Sequence, residues 1–97
     1  MGVAAGMALS GKKPYVYSGS IFVLMRPYEF VRDDIAYNNL DVKLVGTGAS
    51  GFLGFTHNLG PSENEGKLLE CFPNMWAAFP ENENQLLGLL LTKQCLK

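Results

Sequence analysis

Short β-rich runs alternate with segments of helical spacing along this 97-residue chain, and that alternation is what most constrains its fold. The β-rich runs are residues 15–18, 42–45 and 75–79. Strands that alternate with helices usually pair in parallel through right-handed crossovers. The order therefore predicts an α/β fold, with a three-stranded parallel β-sheet flanked by helices.

End signals mark the first two predicted helices. Residues 1–10 are mostly small, and Gly11 follows them in the position where glycine commonly ends a helix. Pro27 fits the first turn of the next helix, which Asn38 and Asn39 end.

Two further helices are predicted by capping pairs in the second half. Ser62 and Glu65 form an S-x-x-E capping box, which predicts a helix to about Cys71. Asn82 and Gln85 resemble a second capping pair, ahead of a leucine-rich last helix. A three-stranded sheet is small, and the first helix has no strand before it, so residues 1–97 are expected to form a truncated domain.

Charge and cysteine content exclude several classes of function. Eight basic residues face nine acidic ones, which gives no electrostatic reason to expect nucleic acid or an anionic membrane as a partner. Cys71 and Cys95 form no C-x-x-C, and with His57 they are too few for a structural zinc site. We expect both to be reduced thiols near a core, as in a cytoplasmic protein.

A glycine-rich loop follows the second β-rich run and is the first candidate site. Gly46, Gly48 and Gly51 fit G-x-G-x-x-G, but no amphipathic helix begins there, so nucleotide binding is a weak alternative. His57 lies at the end of this loop and could transfer a proton or bind a polar substrate. The alternative is that His57 only braces the loop.

Aromatic and basic side chains near the end of the first β-rich run form a second candidate site. Phe22 and Tyr17 lie near Gly19 and Ser20, which leave room for a flat ligand, although both rings could instead pack in the core. Arg26 could contact a ligand or an interface, or form a salt bridge with Glu29 or Asp33.

Several segments, in order, resemble the pyrimidine-binding domain of transketolase-like enzymes. Residues 4–14 resemble the segment A-A-G-x-A-L-x-G-x-x-P, and residues 53–57 resemble L-G-x-T-H. Residues 22–29, 42–46 and 72–75 continue the resemblance, which covers nearly the whole chain. It implies the three-layer thiamine-diphosphate-binding fold, here in truncated form.

The resemblance also implies a function and roles for particular residues. Such enzymes use thiamine diphosphate with a divalent metal to move two-carbon ketol units between sugar phosphates, or to join pyruvate to an aldose phosphate. Phe22 matches the residue that stacks on the aminopyrimidine, and Tyr17 is a second candidate. His57 matches an active-site histidine, and Arg26 an arginine close to the cofactor or the dimer interface.

Two parts that such an enzyme needs have no counterpart in this sequence. They are the glutamate that protonates the pyrimidine and the segment that binds Mg²⁺ and diphosphate. We therefore expect no metal site and no activity from the chain alone, with a diphosphate-binding domain or subunit as its partner, in a dimer. A deoxyxylulose-phosphate-synthase-like fragment and a non-catalytic dimerisation module are the alternatives.

Overall fold

A computed structural model describes residues 1–48 and 64–91 of the chain. Helices and strands alternate in its first half, and two helices follow in its second. The elements are α1 (Gly2–Leu9), β1 (Tyr15–Gly19), α2 (Ser20–Leu24), α3 (Tyr28–Phe30), a π-helix (Val31–Tyr37), β2 (Lys43–Thr47), α4 (Asn64–Glu70) and α5 (Glu83–Leu91).

The two strands pair in parallel, as the sequence predicts. Their register runs from Tyr15 opposite Lys43 to Gly19 opposite Thr47. The connection between them contains α2, α3 and the π-helix, because parallel neighbours need a long crossover. The described part of the chain therefore has the expected α/β architecture.

One face of this sheet packs against the helices and forms the core. Val16 of β1 and Leu44 of β2 contact both clusters of buried residues. Val31 and Ile35 of the π-helix are fully buried, with 0% exposure. Burial of these apolar side chains is the main force that holds the helices on the sheet.

Both predicted helix ends are confirmed by the backbone geometry. Gly11 has φ +87°, the left-handed conformation that suits glycine after a helix. Asn39 has φ +54°, and its N–H donates to the carbonyl of Ala36 at 3.1 Å. Asparagine tolerates this conformation better than most residues, so it ends the π-helix at low cost.

The region around Phe22 differs from the sequence-based expectation in one respect. The helix was expected to begin at Pro27, but helical structure already begins at Ser20, directly after β1. Phe22 therefore belongs to a helix. Pro27 lies between α2 and α3, where its missing N–H leaves no helical hydrogen bond unmade.

The third predicted strand is wrong. Residues 75–79 form neither helix nor strand, and the sheet within the described residues has two strands. This segment lies against α4, since a side chain on Gly66 would contact the ring of Phe79 at 3.5 Å. A short apolar run does not reveal its pairing partner, and here Ala77 and Ala78 have little preference for strands.

The last helix has the predicted capping pair but contributes nothing buried to the core. The N–H of Gln85 donates to Oδ1 of Asn82 at 2.9 Å, and the N–H of Glu81 donates to Oε1 of Gln85 at 2.9 Å. No residue of α5 is buried, and Leu91 is 76% exposed. A hydrogen bond from Tyr15 Oη to the carbonyl of Leu90, at 2.6 Å, links α5 to β1.

Two expectations about environment can be compared with the described residues. Cys71 has a free thiol, as expected, and it is exposed beside the buried core residue Phe72. Cys95 lies outside the described residues. No helix within residues 1–48 and 64–91 is both long enough and apolar enough to cross a bilayer.

Candidate functional site

The carboxyl ends of β1 and β2 lie next to the start of α2. A side chain at Gly46 would place its Cβ 2.8 Å from Ser20 Cα and 3.0 Å from Ser20 Cβ. Glycine is therefore required at this point of β2 for α2 to begin so close to the sheet. In open α/β folds this edge of the sheet is where ligands bind.

Phe22 lies at this edge, in the first turn of α2. Its ring packs close to Gly19, where a built Cβ would lie 3.1 Å from Phe22 Cδ2. The side chain is half-buried. The last residue of β1 and the first turn of α2 therefore set the position of this aromatic ring.

Arg26 covers one face of the Phe22 ring. Its guanidinium carbon lies 4.4 Å from the ring centroid, within the range of a cation–π interaction. The two residues are four positions apart, a spacing that brings side chains together on a helical surface. The structure thus places two of the predicted cofactor-binding residues in contact.

Glu29, one of the two alternative partners of Arg26, is bound to a different arginine. Glu29 accepts two hydrogen bonds from Arg32, one of them from Nε at 2.8 Å. Hydrogen bonding from Arg32, more than its charge, lowers the pKa of Glu29. The same hydrogen bonding raises the pKa of Arg32. A salt bridge between Arg26 and Glu29 is therefore not the arrangement observed.

Tyr17 lies on the other face of the sheet from the core. Successive side chains of a strand point to opposite faces, and its neighbour Val16 packs into the core. Tyr17 is 70% exposed and lies opposite Val45 of β2. Its position therefore differs from that of Phe22, which belongs to the helical layer. His57, the predicted catalytic residue, lies outside the described residues.

Contacts between α3 and α4 support the helical layer that carries Phe22 and Arg26. Tyr28 donates a hydrogen bond to the carbonyl of Leu68 at 2.6 Å, and its ring centroid lies 5.1 Å from that of Phe72. Burial, and then a hydrogen bond with Cys71, raise the pKa of Tyr28 above its usual value of 10.0. Tyr28 is therefore a structural residue held in its neutral form.

A separate cleft of about 450 Å³ opens beside the π-helix. Asn74 forms one wall, where its amide donates to the carbonyl of Ala36 at 2.7 Å and to Oδ1 of Asn39 at 2.9 Å. These bonds fix the segment after α4 to the end of the π-helix. Phe22, Arg26 and Tyr17 do not line this cleft.

The sequence indicated Gly46 and Ser20 as residues of two separate candidate sites, but it did not predict that they pack against each other. The sequence places Gly46 only within a glycine-rich loop, and it is the fourth residue of β2. A glycine within a strand often marks a close approach of another backbone, and this signal could have identified it. Within the described ranges, no three His, Cys, Asp or Glu side chains are grouped to hold a metal ion.

The chain belongs to the family of transketolase pyrimidine-binding domains, whose family model matches residues 1–95. This result confirms the resemblance inferred from the sequence motifs. Transketolases and 1-deoxy-D-xylulose-5-phosphate synthases of this family depend on thiamine diphosphate. The parallel strands and surrounding helices agree with the α/β fold of such a domain.

Curated relatives include two kinds of enzyme. The chain is 38% identical to a 1-deoxy-D-xylulose-5-phosphate synthase of Idiomarina loihiensis and 42% identical to one of Bordetella avium, in each case over 92% of this chain and 14% of the relative. It is 36% identical to an apulose-4-phosphate transketolase subunit of Phocaeicola vulgatus, over 93% of this chain and 29% of that subunit. The chain thus spans less than a third of each relative. No solved structure gives a significant match.

Proposed function

We propose that this chain forms part of the aminopyrimidine-binding surface of a thiamine-diphosphate enzyme that transfers two-carbon ketol units between sugar phosphates. One observation carries the proposal. Phe22, the residue matched to the stacking aromatic, is held by Gly19 and Arg26 at the carboxyl edge of the parallel sheet. A half-buried aromatic ring at this edge suits a flat heteroaromatic group.

Each predicted site residue has a distinct role in this proposal. The ring of Phe22 stacks on the aminopyrimidine, and Arg26 lies close to the cofactor behind that ring. Tyr17, on the opposite face of the sheet, is the second candidate for an aromatic contact. His57 handles substrate oxygens, as the matching histidine of the family does.

The remaining chemistry comes from other polypeptide. The acid that protonates the pyrimidine and the groups that hold Mg²⁺ and diphosphate have no counterpart in this sequence. The transketolase relative of Phocaeicola vulgatus is itself one subunit of an enzyme, which supports partnership with another domain or subunit. We propose that the chain is inactive alone and works in a dimer, with a diphosphate-binding domain or subunit as its partner.

A second candidate function is a part of a 1-deoxy-D-xylulose-5-phosphate synthase. The identities of 38% and 42% to such synthases favour it. The two candidates differ in the donor substrate, which is pyruvate for the synthase and a ketose phosphate for the transketolase. Adding the chain to a complementary diphosphate-binding subunit and testing both donors would separate them. If omitting the chain abolished oligomerisation of that subunit but left its turnover unchanged, the result would instead support a non-catalytic dimerisation module.

The cofactor-binding part of the proposal can be tested on the chain itself. Thiamine diphosphate with Mg²⁺ is titrated into the chain, and binding is followed by NMR and calorimetry. We expect weak binding, which F22L weakens by about two- to tenfold because a stacked aromatic pair contributes about 0.5–1.5 kcal/mol. F30L is the matched control, since Phe30 is an exposed aromatic residue of the neighbouring helix.

Two results would contradict the proposal. Equal binding by F22L and the unsubstituted chain would show that Phe22 does not contact the cofactor. Tight one-to-one binding, or turnover without a partner, would show that the chain is a complete binding unit and not a part of one.

A further inference from the structure

We propose that two copies of this chain associate through the outer face of α1, with the two α1 helices antiparallel across a two-fold axis. The inference goes beyond the proposed function, because this association needs neither a cofactor nor a second kind of subunit. It follows from the exposure of α1 and from the charges at its two ends.

The two faces of α1 differ in burial. Ala4 and Ala5 are only 7% and 6% exposed, and they belong to the same core cluster as Ile35. On the outer face, Val3 and Leu9 are 79% and 72% exposed. No residue of α1 is charged. The outer face is therefore apolar, and covering it would remove these side chains from water.

The shape of the outer face allows a second helix to come close. Gly2, Gly6 and Ser10 are spaced four residues apart, so they lie along one line of the helix surface. A Cβ built on Gly6, at the middle of this line, would have no neighbouring atom within 4 Å. The hydroxyl of Ser10 donates to the carbonyl of Gly6 at 3.0 Å, so covering the face would leave no unpaired hydroxyl.

Opposite charges lie at the two ends of α1. Beside its first turn is Asp34, whose Oδ2 would be 3.9 Å from a Cβ built on Gly2. Lys12 and Lys13 follow its last turn and are exposed. Within residues 1–48 and 64–91, neither ion pair of the structure includes any of these three charged residues. An antiparallel pair of α1 helices crossing at Gly6 would bring the lysines of each copy to Asp34 of the other.

This complementarity identifies a second copy of the chain as the occupant of the face. A two-fold axis makes every contact occur twice, so one acidic end and one basic end complete each other in both copies. A parallel pair would instead bring like charges together. The eight residues of α1 are about 12 Å long, so the contact is smaller than a standard interface of about 1,600 Å². We expect weak association, with a dissociation constant of about 10–1,000 μM.

A charge exchange between the two ends tests the pairing. Self-association of the full chain is measured by sedimentation equilibrium up to about 1 mM. K12E/K13E and D34K should each weaken it about five- to thirtyfold, because attraction becomes repulsion at both ends of the pair. An equimolar mixture of these two variants should associate about as tightly as the unsubstituted chain, since opposite charges meet again. K67E, at an exposed lysine of α4, is the control and should leave self-association unchanged.

The apolar part of the contact is tested with the charges left in place. V3S/L9S should weaken self-association at least about tenfold, because it removes the exposed apolar side chains on both sides of the Gly6 line. L87S/L91S is the matched control, since these leucines of α5 are 58% and 76% exposed. Amide NMR spectra establish that each variant is folded. In the unsubstituted chain, the amide signals that shift with concentration should belong to residues 2–13.

Three results would overturn the inference. They are a chain that stays monomeric to about 1 mM, a mixture of K12E/K13E and D34K that associates no better than either alone, and a mixture of K67E and D34K that associates equally well. The last would make net charge the cause. None of them touches the proposed function, which depends on weaker binding of thiamine diphosphate by F22L. Equal binding by F22L would in turn refute the proposed function and leave the association of α1 standing.

Discussion

Replacement of Gly46 by alanine should separate α2 from the end of β2. The new Cβ would lie 2.8 Å from Ser20 Cα and 3.0 Å from Ser20 Cβ, whereas carbon atoms in contact are ordinarily about 3.5–4.0 Å apart. Ser20 is 6% exposed, and the closest atom is backbone, so no side-chain rotation can relieve the contact. The start of α2 has to move by about 1 Å to restore ordinary contact distances.

The cost of that movement follows from the known penalty for overpacking. Inserting a methyl group into a packed region costs about 1–3 kcal/mol. The loss of glycine flexibility in the unfolded chain offsets about 0.4–1 kcal/mol of this. We expect G46A to be less stable by about 1–2 kcal/mol, which lowers Tm by about 5–15 °C for a domain of this size.

Thermal and urea unfolding of G46A, followed by circular dichroism, measure this change. G6A is the matched control, because Gly6 lies in α1 with no atom within 4 Å of a built Cβ. Alanine is the better helix former, so G6A should raise stability by about 0.5–1 kcal/mol. G46A should also weaken binding of thiamine diphosphate, since Phe22 moves with α2. A Tm for G46A equal to or above that of the unsubstituted chain would refute the close approach of Ser20 and Gly46.

Two further substitutions test the core and the link between α3 and α4. I35V should lower stability by about 0.5–1.5 kcal/mol because Ile35 is fully buried. The control L9A, at a 72% exposed position, should change stability by less than about 0.5 kcal/mol. Equal effects of the two substitutions in urea unfolding would contradict the core assignment. Y28F removes the hydrogen bond to Leu68 and should cost about 1 kcal/mol at neutral pH. The pKa of Tyr28 is raised in the folded chain, so the neutral side chain stabilises the folded state. This stabilisation is complete below the unfolded pKa of about 10, and it is lost as the pH rises through the folded pKa. The stability difference between the unsubstituted chain and Y28F should therefore shrink above pH 10. A difference that grows there would show that folding lowers the pKa of Tyr28 instead of raising it.

Local signals predicted the helix ends well. Gly11 and Asn39 end helices in the left-handed conformation, and Asn82 caps the last helix. These features depend on residues within four positions of each other, so a single sequence contains all the information they need. The order of helices and strands also predicted the parallel pairing of β1 with β2.

Features that depend on distant partners were predicted less well. Residues 75–79 were predicted as a strand from their apolar character, yet they lie against α4 and pair with neither β1 nor β2. Cys71 has apolar neighbours in sequence but is exposed. In each case the outcome depends on which surface the rest of the fold presents.

The candidate site shows the same division. The sequence by itself identified the family, and it led us to propose Phe22 and Arg26 as site residues, because residue types in a recognisable order carry that resemblance. Only the tertiary structure showed that Arg26 covers the Phe22 ring while Arg32 binds Glu29, and that Gly46 lets α2 begin against the sheet. Both arginines are within reach of Glu29 by spacing alone. Arg32 lies with Glu29 in one continuous helical stretch, residues 28–37, whereas Pro27, with φ −97° and ψ 29°, separates Arg26 from that stretch.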